Sequence, residues 1–221
     1  MAFKIMEIVR KGKAKKLLTE EYIEEMKKHS VPEWFIDSCM KIKYMFPKAH
    51  AAAYVIAAIR LGYFKVYEPL AYYATYFTVR GQDIDSSAVV EGKDAVKKKI
   101  DELILKGNEK TVKENDTLEI LLVANEMLCR GFSFLPVDLY LSRAFEYIIE
   151  DNKIRLPFSS LKGLGETAAK KLQSCALDGE YISIEDLVSR TGISKVVVQC
   201  LKDMGALKNM PETSQMSLLN F

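Results

Sequence analysis

The sequence predicts a mainly α protein with one small β element near residue 150 and a tandem of helix-hairpin-helix units behind it. Three observations carry that expectation. Apolar residues recur at three- and four-residue spacing through most of the chain up to Arg130. Short apolar runs then flank Asp151-Asn152, a pair suited to a tight turn. From Leu161 the chain reads Leu-Lys-Gly-Leu-Gly-Glu-Thr-Ala-Ala-Lys-Lys-Leu, with two glycines where two helices would meet.

Met1 to about Lys16 reads as one helix with Phe3, Ile5, Met6 and Val9 on its apolar side, and it starts without a capping signal, as an element cut from a longer one would. Thr19 with Glu20 and Glu21 behind it places an N-cap and two acids at the start of a helix to His29. Pro32 restarts a helix from about Glu33 to Phe46. A long helix from His50 to about Val66 carries Ala51, Ala52, Ala53, Ala57 and Ala58, a face of high helix propensity and little bulk that lets another backbone approach. After Pro69, Tyr72, Tyr73, Tyr76 and Phe77 mark a helix ending near Arg80-Gly81. Val89 to Lys106 reads as a charged amphipathic helix, and Thr117 to Arg130 as another, with Leu118, Leu121, Leu122, Ala124 and Met127 in register and Gly131 as its stop. Short strands are expected at Phe132–Leu135, Phe145–Ile149 and Lys153–Leu156. From Pro157 two helix pairs run to about Lys208, and a polar tail begins at Pro211. The expected organisation is therefore 1–156, 157–210 and 211–221.

Composition bounds the function classes. With 221 residues, 49% apolar and 28% charged, the chain can bury a core of ordinary globular kind. No run approaches the ~20 apolar residues of a membrane span, and Lys4 and Glu7 interrupt the start where a secretory signal would be apolar, so no membrane partner and a cytoplasmic location are expected. Cys39, Cys129, Cys175 and Cys200 lie far apart without a C-x-x-C pair, and neither His29 nor His50 has ligand neighbours. No metal site and no nucleophile–base pair is expected, which sets aside a hydrolase or metalloenzyme. Asp83-Ile84-Asp85 imitates paired metal-binding carboxylates, but its polar surroundings from Gly81 to Ser87 read as a solvated loop. The net charge of +2 decides nothing; the basic runs at Arg10–Lys16 and Lys97–Lys99 are by default solvated faces.

Leu161 to Leu172 is the most informative segment. A short helix would end, the glycines would permit positive φ, and the next helix would start at once. The unpaired N–H groups and positive dipole end of that second helix suit a phosphate oxygen. Lys162, Gly163, Leu164, Gly165, Glu166, Thr167, Lys170 and Lys171 are the residues placed at such a contact. A second unit runs from Ile184 through Thr191-Gly192-Ile193-Ser194 to Lys195–Met204, with Gly192, Ser194 and Lys195 at its turn. Having one glycine, it is expected to be mainly structural. A tandem of this kind holds duplex DNA by its backbone without reading sequence.

Phe46-Pro47-Lys48-Ala49-His50-Ala51-Ala52-Ala53-Tyr54, with Ile42-Lys43-Tyr44-Met45 before it, resembles the fingers motif of bacterial DNA polymerase III alpha subunits, in its PolC form. Other alpha subunits usually have Asn where Pro47 stands. The resemblance continues through Phe64-Lys65-Val66, Pro69-Leu70 and Arg130-Gly131-Phe132 into the hairpins and tail. It implies a C-terminal portion of such a polymerase: residues 1 to about 156 as most of the fingers, then the duplex-binding hairpins. The palm, with its Mg²⁺-binding aspartates, would lie upstream of Met1 together with the thumb, so no catalytic residue and no cofactor is expected here. Arg10, Lys11 and Lys13, in Val9-Arg10-Lys11-Gly12-Lys13, match the basic segment that reaches the triphosphate of an incoming deoxynucleotide, where cations offset charge on the leaving pyrophosphate. Lys48 and His50 match the same pocket; Tyr54 would line it or pack in the core. Gln215-Met216-Ser217-Leu218-Leu219 resembles the peptide by which these polymerases bind the sliding clamp, with Met216 and Leu219 departing from the usual Gln-Leu-Ser-Leu-Phe. The competing expectation is a stand-alone helix-hairpin-helix accessory of repair or recombination, which has no need of Phe46–Tyr54.

Overall fold

In the computed structural model residues 1–213 are described, and by compactness the chain divides into two units, Met1–Gly62 and one that begins at Tyr63. Both are mainly helical, and the second also holds a small sheet, as the sequence predicts.

The first unit comprises α1 (Ala2–Arg10), α2 (Ala14–Leu17), α3 (Glu20–Lys28), α4 (Glu33–Lys41) and most of α5 (Lys48–Tyr67). Its core is small: Val9, Ala14, Leu18 and Cys39, with Ile5, Ile8, Tyr22, Ile23, Met40 and Ile42 packed around them. Burial pushes the Cys39 thiol pKa up. The single helix expected over Met1 to Lys16 is two helices separated by a turn at Gly12, whose φ is +66°. Apolar spacing alone could not reveal the break, because both helices face the same cluster. The turn is required by a close approach: a Cβ on Gly12 would stand 1.9 Å from the Lys43 carbonyl oxygen. Next to it the Met45 N–H donates to the Arg10 carbonyl at 3.0 Å. Thr19 occupies the N-cap of α3 as expected, but its side chain makes no capping bond. α4 ends at Lys41 rather than Phe46, since the extended segment after it lies along the Gly12 turn.

α5 is apolar around its whole circumference and buries none of its residues, its alanine face included. Such a helix is ordinarily one that sits inside a larger protein.

The second unit contains α6 (Pro69–Arg80), α7 (Ser86–Glu91), α8 (Lys93–Leu105) and α9 (Val112–Cys129), then strands β1 (Phe134–Leu135), β2 (Ile148–Glu150) and β3 (Lys153–Arg155). α10 (Glu166–Leu177), α11 (Ile184–Thr191) and α12 (Lys195–Asp203) complete it. The Val89–Lys106 stretch is two helices, parted at Gly92 with φ +110°. α9 starts ahead of the expected Thr117, because Thr111 and Glu114 form a reciprocal capping box: the Glu114 N–H donates to Thr111 Oγ1 at 3.2 Å and the Thr111 N–H to Glu114 Oε2 at 2.9 Å. Asp83-Ile84-Asp85 is no solvated loop. Ile84 is buried, Asp85 caps α7 by accepting from the Ala88 N–H at 3.1 Å, and Asp83 pairs with Lys113 at 3.0 Å.

In the sheet, of order β1-β3-β2, β1 runs parallel to β3 and β2 antiparallel, joined to β3 through Asp151 and Asn152 at positive φ. Arg155, 8% exposed, forks onto both carboxylate oxygens of Glu150 and donates to the Pro136 carbonyl at 2.8 Å. One hydrophobic cluster runs from Tyr73 and Phe77 through Ile154, Leu156, Phe158 and Leu161 to Leu187, Leu201 and Leu207. Leu156, Phe158 and Leu161, on either side of the expected boundary at 156, belong to this one cluster, and the division by compactness lies at Gly62. The change of sequence style after Pro157 marks a change of local motif that shares a core with what precedes it.

Candidate nucleic-acid interface

The first hairpin begins on a fully buried anchor. Phe158–Ser160 form a 3-10 turn, one turn where a short helix was expected, with Phe158 and Leu161 in the core. The Phe158 N–H donates to the Arg143 carbonyl and the Ser159 N–H to the Ala144 carbonyl, each at 2.9 Å, and the Ala144 N–H to the Gln173 side chain at 2.7 Å. Gly163 takes φ +81°, open to glycine at no steric cost. Gly165 does not: at φ −80° and ψ 163° it is simply the N-cap of α10. Leu164, between them, packs partly against the core, as the hairpin reading requires.

The three helix starts in this region differ. α11 is closed: Ser183 Oγ accepts from the Asp186 N–H at 3.0 Å, and the Ile184 and Glu185 N–H groups donate to the carbonyls of Pro211 and Glu212 at 2.9 and 3.0 Å. α12 is capped by Ser194, which accepts from the Val197 N–H at 3.4 Å, and Lys195 is its first residue. α10 has no side-chain cap and is the most available of the three to an external acceptor. A Cβ on Gly163 would lie 3.9 Å from Val196 Cγ1, so the first turn of α12 sits against the first hairpin. The second hairpin, expected to be mainly structural, thus shares a surface with the first hairpin. Lys162, Gly163, Gly165, Glu166, Thr167, Lys170, Lys171, Gly192, Ser194 and Lys195 are all exposed there, and the Lys170 ammonium lies 5.5 Å over the Phe145 ring.

The second group of sequence candidates lies in the first unit. Arg10 forks onto Glu7 (2.8 and 3.2 Å) and Lys11 also reaches Glu7, at 2.9 Å. These two cations hold the Glu7 carboxyl down to about 2. Lys13 is the exposed N-cap residue of α2, and Lys48 and His50 are exposed in the first turn of α5. Through the Gly12–Lys43 approach the fold brings the 10–13 turn beside the segment leading into α5, two stretches far apart in sequence. Rings then run in series: Tyr44 to Phe46 at 6.1 Å, Phe46 to His50 at 4.8 Å, His50 to Tyr54 at 4.5 Å. Tyr54 is 65% exposed and packs in neither hydrophobic cluster of the described residues. Tyr44 and Phe46, four and two residues ahead of Lys48, belong to this series of rings though neither was among the sequence candidates. Lys65-Val66 and Arg130-Gly131-Phe132 join elsewhere: Lys65 pairs with Glu126 at 2.7 Å, and Arg130 donates to the Lys65 carbonyl (2.9 Å) and the Tyr73 hydroxyl (3.1 Å). Gln215, Met216, Ser217, Leu218 and Leu219 lie outside the described residues.

A family described as "Helix-hairpin-helix motif" matches residues 131–216, a span that takes in the sheet as well as both hairpins. Proteins named DNA polymerase III PolC-type match the chain from end to end. That of Caldanaerobacter subterraneus is 53% identical and that of Oceanobacillus iheyensis 50%, each over 218 residues that make up 99% of this chain. That of Staphylococcus aureus is 46% identical over 220 residues. The chain spans 15% of the length of each of these relatives. Along its whole length, the chain therefore belongs to the PolC-type DNA polymerase III family, as the counterpart of one region of those proteins.

Proposed function

We propose that the chain is the C-terminal, duplex-holding and nucleotide-facing region of a replicative DNA polymerase. The observation that carries this reading is the juxtaposition of the uncapped α10 start and the α12 start, in a chain related end to end to PolC-type polymerases. Phosphate oxygens of duplex DNA accept from the first-turn N–H groups of α10 and α12, with Lys162, Lys170, Lys171 and Lys195 neutralising charge around them. Residues 1–156 act as fingers: Arg10, Lys11 and Lys13 reach the triphosphate of the incoming deoxynucleotide, while Lys48, His50 and Tyr54 face it. The Gln215–Leu219 peptide binds the sliding clamp. Nucleotidyl transfer belongs to the palm of the intact polymerase, whose carboxylates would hold Mg²⁺. The exposed apolar α5 fits this division, since other parts of a much longer polypeptide are there to cover it. None of the described helices is long and apolar enough to cross a membrane.

A stand-alone repair accessory would need the hairpins but not the 46–54 segment, and identity running through both disfavours it. Duplex binding tests the reading. Affinity is expected to fall steeply with salt, and Lys170→Ala to lower the slope of log K against log salt by about 0.9. Gly163→Ala, forced into a left-handed backbone, is expected to weaken binding several-fold with the slope kept. A flat salt response in the unaltered chain sinks the duplex assignment. Removal of residues 215–221 is expected to abolish clamp binding without changing the melting curve.

A further inference from the structure

Arg190 stands in the last turn of α11, within the region proposed to hold DNA, where a cation invites assignment to a phosphate. Its guanidinium is already engaged. Nη1 donates to the carbonyls of Gly179 (3.3 Å) and Glu180 (3.1 Å), and Nη2 to those of Gly179 and Cys175. The Asp186 carboxylate lies 3.6 Å away and the Tyr181 ring centroid 4.5 Å. Cys175 returns the contact, its thiol donating to the Arg190 carbonyl at 3.5 Å. Cys175 belongs to the last turn of α10, where helix carbonyls lack internal partners and the dipole presents its negative end. The guanidinium therefore caps α10 from a neighbouring helix.

The segment just beyond Arg190 makes this contact consequential. The chain turns at Gly192 in the left-handed region, and Ser194 then caps α12. The link from Arg190 to the start of α12 is four residues long, so fixing Arg190 on α10 restricts where the α12 start can lie. At the other end of α10 that start meets Gly163 through Val196. We propose that Arg190 is a positioning residue: it locks α11 onto the C-terminal end of α10 and so keeps the first turn of α12 against the Gly163 turn, giving the two phosphate-facing turns one fixed spacing without itself touching DNA. The functional part rests on the duplex-binding reading. Two contacts on a polymer of fixed phosphate spacing gain from being set in advance, because the ordering is then complete before binding. Loosening the spacing costs affinity while the bound state keeps the same phosphate contacts.

The test uses the whole 221-residue chain with Arg190→Ala and Arg190→Lys. In the free protein, the NMR cross-peak between the Gly163 α-protons and the Val196 methyl group reports the spacing, and a Phe77–Phe134 cross-peak reports an intact core, those rings being 5.2 Å apart. Arg190→Ala is expected to lose the first and keep the second. Its duplex affinity is expected to drop roughly tenfold, the scale of a lost charged hydrogen-bond set, with the salt slope unchanged. Methylguanidinium chloride is expected to restore affinity relative to sodium chloride at the same ionic strength. An undiminished Gly163–Val196 cross-peak in a folded variant overturns the proposal, as does a slope reduced by about 0.9, the mark of a direct phosphate contact. Where Arg190→Ala loses the core cross-peak as well, Arg190→Lys decides by the same readings, since its single ammonium cannot span three carbonyls. A wild-type chain that fails to bind duplex refutes the functional reading alone; the cross-peaks still decide the positioning role.

Discussion

Replacing Gly12 with alanine tests whether one turn assembles the first unit. Alanine at φ +66° costs about 1–2 kcal/mol from backbone conformation alone. Its methyl group would also stand 1.9 Å from the Lys43 carbonyl oxygen, so Lys43 must retreat by more than an ångström to reach ordinary contact. That retreat breaks the 3.0 Å hydrogen bond from the Met45 N–H to the Arg10 carbonyl, worth about 1 kcal/mol. The sum is about 3 kcal/mol against a cluster of four buried side chains, Val9, Ala14, Leu18 and Cys39. Cys39 supplies the assay, because it is 3% exposed in that core. Its alkylation, measured by peptide mass spectrometry, is expected to accelerate by roughly a hundredfold, each tenfold being about 1.4 kcal/mol. Cys129, exposed in the second unit, serves as the internal reference. Gly62, inside α5 with open space around it, is the control: alanine there is expected to leave Cys39 protected. Unchanged Cys39 protection in Gly12→Ala refutes the close-approach argument.

Two further perturbations address the second unit. Glu114 is held down to about 2, first by its bond from the Lys106 ammonium and then by the Thr111 N–H. A carboxyl lowered on folding stabilises above its unfolded pKa, so this contribution is present above about pH 4.5 and lost as pH falls toward 2. Glu114→Gln is expected to flatten the acid limb of a melting-temperature profile over that window, and an unaltered limb counts against the Lys106 and Thr111 contacts of this carboxylate as its source. Arg155→Met strands a partly buried Glu150 and the Pro136 carbonyl and is expected to cost about 2–3 kcal/mol in urea unfolding. Adding Glu150→Leu is expected to recover most of that loss; a double variant no better than the single one shows that packing, not the ion pair, is responsible.

The mainly helical class, the sheet hinged on Asp151-Asn152 and the hairpin at Gly163 are all legible in the residues themselves, because each rests on local rules: helical spacing, turn chemistry, and a glycine where φ is positive. The family is legible too, through the 46–54 segment and the hairpins together. The departures are local as well. Gly12 and Gly92 break helices through which apolar periodicity runs on unaltered, and the Thr111–Glu114 capping box starts α9 before its apolar periodicity begins. The rest belongs to tertiary packing. That the Arg10–Lys13 turn lies against the segment entering α5 depends on a contact between residues some thirty positions apart, which no periodicity encodes. That α10 and α12 start side by side, and that Arg190 is a helix cap rather than a free cation, depends on how three short helices pack over one shared core. A lysine or arginine reads the same in sequence whether it faces water, phosphate or a carbonyl; the partner that the fold supplies makes the difference.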